Sequence, residues 1–113
     1  MPDREEFVWG KVGSWSGRGN SQTSSFTSDT GTFRVQWETK ALEAPGTGSF
    51  RLTLYSAVSG RPLLEAATQQ GSGRGTVVLN EDPRVFYFVV ESGGVEWSFT
   101  AEEGVPVLLR QRS

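Results

Sequence analysis

From Phe33 onward the apolar residues Phe33, Val35 and Trp37 alternate with Arg34, Gln36 and Glu38, the two-residue period of a strand with one buried face. The period returns twice. Phe50, Leu52 and Leu54 oppose Arg51, Thr53 and Tyr55, and Val95, Trp97, Phe99 and Ala101 oppose Glu96, Ser98, Thr100 and Glu102. The run Val85 to Val90 is apolar or aromatic throughout. It predicts a central strand covered on both sides, or passing under the amino-terminal segment, with Thr76–Leu79 and Val95–Ala101 as its neighbours. Turn-forming residues separate these runs at Asp29–Gly31, Ala44–Gly48, Ser59–Pro62, Gly71–Gly75 and Asn80–Pro83. Ser92-Gly93-Gly94 is the clearest hairpin signal, because glycine tolerates the positive φ of tight hairpin turns.

The two ends follow a different pattern. FVWGKVGSWSGRGN sets Phe7, Trp9 and Trp15 in a glycine-rich frame, which predicts a first strand, a bend and a solvent-facing edge strand at Ser21–Thr27. Gly104–Leu109 reads as a last edge strand, where Pro106 is tolerated. Only Leu63–Gln70 has helix-favouring composition, and at under three turns it is expected to be a strand or a single helical turn. Short strands spaced about eight to twelve residues apart point to an all-β fold. The expected architecture is an antiparallel two-sheet β-sandwich, jelly-roll or CUB-like, of about eight strands. Residues 1–113 form one domain, with 1–6 and 110–113 as frayed tails.

Composition narrows the chemistry. A chain of 113 residues fits one domain that buries roughly two-thirds of its unfolded surface. Thirteen aromatic residues, four of them Trp, concentrate that burial in few positions. The chain has no histidine and no cysteine, which removes Ser-His-Asp and Cys-His catalysis, histidine- or thiolate-ligated zinc and thiol redox chemistry. A net charge of −2 with nine scattered arginines and two lysines offers no basic patch for a phosphate backbone, so nucleic acid is not expected as a partner. No apolar run has the length of a transmembrane helix, and the start MPDREEF lacks the regions of a signal peptide.

The order of features is a Trp-Gly segment and a Ser/Thr-rich strand ending at Phe26, then TFRVQWE, GSFRLTLYSAVSGRPL, GSGRGTVVL and FYFVVESGGVEWSFTAEE. Over residues 24–103 it resembles the small secreted bacterial β-sandwiches of the pre-peptidase C-terminal and CUB-like kind, whose closing strands look like those at Tyr87, Val90, Ser92, Trp97 and Glu102. The resemblance implies a bacterial, non-catalytic appendage that assists secretion, adhesion or substrate binding, placed outside the cell or in its envelope. Domains of that kind adjoin a peptidase or other enzyme, which these residues do not include.

Candidate sites are few. Trp37 and Trp97 fall in phase with buried positions and belong to the core. Trp9 and Trp15 carry no such phase, and with Tyr55 they are the candidates for stacking on a sugar ring or anchoring a protein interface. Acidic pairs occur at Glu5-Glu6, Glu81-Asp82 and Glu102-Glu103. Of these, Asn80-Glu81-Asp82 is the best calcium candidate, although calcium needs six to eight oxygens and no D-x-D-x-D-G loop is present. Gly71-Ser72-Gly73-Arg74-Gly75 lacks the spacing of a phosphate-binding loop and reads as a hairpin or crossover. The expected function is non-catalytic binding or scaffolding without a cofactor, through a protein partner or self-association at an edge strand. The alternative is a carbohydrate-binding module using Trp9, Trp15 and Tyr55, and the least favoured reading is a carboxylate-dependent hydrolase.

Overall fold

The computed structural model describes residues 4–109, with side chains for 7–107. Nine strands account for its regular structure: β1 (Arg4–Arg18), β2 (Ser21–Gln22), β3 (Phe26–Ser28), β4 (Thr32–Ala41), β5 (Ser49–Ser56), β6 (Pro62–Gln70), β7 (Gly73–Asn80), β8 (Arg84–Gly93) and β9 (Val95–Leu109). One sheet has the order β1-β9-β4-β7 and the other β2-β8-β5-β6, with β3 also paired to β8. Because β2 and β3 share one position beside β8, the nine strands fill eight places, in the connectivity of a jelly roll.

Consecutive strands alternate between the sheets at every step except β2 to β3 and β5 to β6. This corrects two expectations. The run Val85–Val90 lies in β8 between β5 and the β2/β3 edge, whereas β7 and β9 flank β4. Ser92-Gly93-Gly94 therefore joins strands of different sheets and is no hairpin. The sharp turn is real, since Gly94 has φ +74°, but its carbonyl accepts from Leu42 N–H at 3.1 Å across the end of the sandwich. The β5–β6 hairpin is closed by Ser56 N–H to Arg61 O at 2.9 Å and Gly60 N–H to Ser56 O at 2.8 Å.

Between the sheets lie Phe33, Val35, Phe50, Leu52, Leu54, Phe86, Phe88, Val90, Val95, Trp97, Phe99 and Ala101, all buried. They are the in-phase residues of β4, β5, β8 and β9, so alternation decides the core as expected. Trp97 is anchored by Nε1–H donating to Gly19 O at 2.9 Å. Trp37 packs on Phe50 at 5.9 Å between centroids but is only half-buried, because it stands over Gly75 beside the sheet edge. Leu63–Gln70 lies in β6 and pairs with β5 through two register irregularities. Too short to sustain a helix alone, it takes the conformation that buries Ala66 and Ala67.

The ends bear on two expectations. Gly104–Leu109 is no separate strand but the continuation of β9, which runs unbroken from Val95; up to Glu103 that strand is interior, between β1 and β4, and beyond it pairs with β1 alone, the edge position expected for Pro106. Residues 4–6, expected to fray, open β1 in register with 107–109; the tails 1–3 and 110–113 lie outside the described residues. Pairing between β4 and β9 stops at Phe33 and Glu103, while β1 and β9 pair on to Arg4 and Leu109. The chain ends thus form a two-stranded ribbon. Its last five pairs, Val8 with Val105 through Arg4 with Leu109, extend about 17 Å at ~3.4 Å per residue.

Candidate functional site

A β-bulge divides β1 into two phases. Lys11 pairs with Glu102 and Gly13 with Ala101, so Val12 is one residue more than β9 can match. Trp9 and Trp15 are an even number of residues apart and would share a face in a regular strand. The extra residue sends them to opposite faces. Trp15, opposite Phe99, turns between the sheets and stacks on Phe99 at 5.0 Å. Trp9, opposite Gly104, lies on the outer face of its sheet.

There Trp9 stacks on Phe7 at 5.9 Å, and Arg34 sits 4.6 Å above the Trp9 ring, a cation–π arrangement. Arg34 Nε also donates to Glu102 at 2.9 Å. Gly104 is the seat of this group, because a Cβ at that position would lie 2.9 Å from the Trp9 ring and 3.1 Å from Phe7. On the opposite face Val8 stands across from Val105, and the register adds Val107 to the same side. Phe7 is 47% exposed, Val8 58% and Val105 44%. Apolar side chains therefore line both faces of the ribbon, where the sandwich cannot cover them.

Tyr55 is far from this cluster in the fold. It lies on the outer face of the β2-β8-β5-β6 sheet, stacked on Tyr87 at 5.3 Å, and both are half-buried. The structure thus separates Trp9, Trp15 and Tyr55 onto one outer face, the core and the other outer face. Further along the Tyr55 sheet, small residues Gly48, Ser49 and Gly93 floor an open groove of about 870 Å³, walled by Asn20, Arg51, Thr68, Gln70 and Glu91. Arg51 also reaches Glu65 at 3.4 Å.

The acidic residues serve their own turns. Asn80 Oδ1 accepts from Thr32 Oγ1 at 3.1 Å, and Arg84 pairs with Glu81 at 3.4 Å and Asp82 at 3.6 Å. Among the described residues no three carboxylates gather where a metal ion could be held. The side chains of Glu5 and Glu6 lie outside the described residues. Glu102 and Glu103 point to opposite faces. Glu103 Oε2 accepts from Ser28 Oγ and from Asp29 N–H at 3.1 Å, tying the end of β3 in one sheet to β9 of the other. Sequence reading missed that clasp, as it missed Tyr87, Phe7 and Val8. The available signal was the apolar pattern of Phe7-Val8-Trp9 and Val105-Pro106-Val107 at the two ends.

Strand order and connectivity define the class: a small jelly-roll β-sandwich. No protein-family model, curated protein or solved structure matches the chain.

Proposed function

We propose that this chain is a non-catalytic binding or scaffolding domain whose working surface is the β1–β9 ribbon. The observation that carries this reading is the exposure of Phe7, Val8 and Val105 on a ribbon that continues past the sandwich. A two-stranded ribbon alone is marginal in water, and it gains stability when a third element covers a face or pairs an edge. An accessory role of the pre-peptidase C-terminal or CUB-like kind agrees with such an attachment surface. A photoreactive residue placed at Val8 in the native host should give a protein adduct, whereas one at Val58, 80% exposed on the β5–β6 turn, should not. Equal labelling at both sites, or none at Val8, would refute the reading.

A second reading, carbohydrate binding, draws on the Tyr55–Tyr87 pair and the neighbouring groove of amide, hydroxyl and charged side chains. The rings stack on each other and both stay half-buried, so part of each is open to solvent for a sugar. Tyr87→Ala should abolish any glycan-induced fluorescence change while Trp9→Ala leaves it intact; a glycan response that needs Trp9 instead would contradict the placement.

A further inference from the structure

The ribbon also defines its partner, an inference that rests on the ribbon being the working surface. Pro106 pairs with Phe7 and has no N–H to give, so it fits this ladder only where its nitrogen faces away from β1. In an antiparallel pair both residues of such a position turn their backbone groups outward. Phe7 therefore presents N–H and C=O to the free edge of β1, and by alternation so do Glu5, Trp9 and Lys11. The opposite edge of the ribbon is blocked by the same proline. Elsewhere β6 is blunted by Pro62 and two irregularities, and β2/β3 is interrupted between Gln22 and Phe26.

We propose that β1 pairs with β1 of a second copy of this chain, antiparallel and centred on Val8. The segment is self-complementary about that point. Val8 meets Val8 of the second copy, Phe7 meets Trp9, and position 5, an acid, meets Lys11. Each opposed pair lies on one face, as antiparallel pairing requires, and the register ends before the bulge at Val12. The pairs Phe7 with Trp9 and position 5 with Lys11 are those whose backbone groups already face the free edge, so each exchanges two hydrogen bonds. Val8 with Val8 is then the close, non-hydrogen-bonded pair. The product is a four-stranded sheet, β9-β1-β1-β9, with a two-fold axis through Val8.

Because the chain has no cysteine, one substitution reads the register. Across a non-hydrogen-bonded pair the Cα separation is about 4.5 Å, within the range a disulfide spans. Val8→Cys should therefore oxidise to a covalent dimer about ten times faster or more than Val105→Cys or Val78→Cys at equal concentration, since the dimer holds only the first pair together. Unmodified protein should sediment as a dimer, Lys11→Glu as a monomer, and the double variant Glu5→Lys/Lys11→Glu as a dimer again. Equal oxidation rates at the three sites, or a monomer at the highest soluble concentration, would overturn the proposal. A monomer whose Val8 photo-adduct contains a different protein would leave the ribbon as the working surface and remove only the second copy. A monomer with no adduct would remove both.

Discussion

Trp97 and Arg51 show how the same alternation produces opposite roles. The indole is 3% exposed among Phe50 and Phe99, while Arg51 and its partner Glu65 are 57% and 53% exposed at 3.4 Å. Exposed pairs of that kind contribute little. Trp97→Ala should cost about 3–5 kcal/mol in urea unfolding, and Arg51→Ala less than about 0.5 kcal/mol. Similar losses would mean that burial does not follow the strand phase. Two glycines make a sharper comparison. Gly31 and Gly60 both have φ +71°, so either alanine substitution strains the backbone by about 1–3 kcal/mol. At Gly31, however, the added Cβ would meet the Glu81 carbonyl oxygen at 1.8 Å, whereas at Gly60 it meets open space. Gly31→Ala should lower the melting temperature clearly more than Gly60→Ala, and an equal drop would place the β3–β4 turn elsewhere.

At the scale of elements, the chain announces where strands run but not which strands pair. Phe33–Trp37, Phe50–Leu54 and Val95–Ala101 are legible because burial of one face imposes a period of two. Gly93-Gly94 is legible as a turn, yet glycine at positive φ serves a hairpin and a step between sheets equally well. The sheet assignment of β8 depends on contacts with β5 and β2/β3, distant in sequence, which no local pattern encodes. Val12 is harder still. Nothing local distinguishes it from a regular strand residue, although it decides that Trp15 is core and Trp9 is surface, and hence that the three candidate aromatics cannot act as one site. Deleting Val12 should cost about 3–5 kcal/mol, as for emptying a large aromatic site, because Trp15 loses its place against Phe99. Val12→Ala, which keeps the residue count, should cost about 1 kcal/mol. Equal losses by denaturant unfolding would show that the bulge does not set the phase.

Over the whole molecule, the jelly roll is a two-sheet body with its ends drawn out into a ribbon that the core does not support. Alternation made the sandwich legible in the sequence. The ribbon was not, since Phe7, Val8, Val105 and Val107 fit an edge strand packed on a core as well as one that leaves it. That division of β1 and β9 into a supported and an unsupported part is the central claim, and it has a kinetic signature, because local opening is easiest where apolar contacts are fewest. Amide hydrogen exchange on the dilute, isolated chain reads it directly. Amides of Trp97–Ala101, flanked by β1 and β4 on both sides, should exchange slowly, through opening of the whole sandwich, while those of Val8, Val105 and Val107, which bond within the ribbon, exchange far sooner. Protection of the ribbon equal to that of the sandwich would contradict the account, for such a ribbon would be stable without anything bound to it.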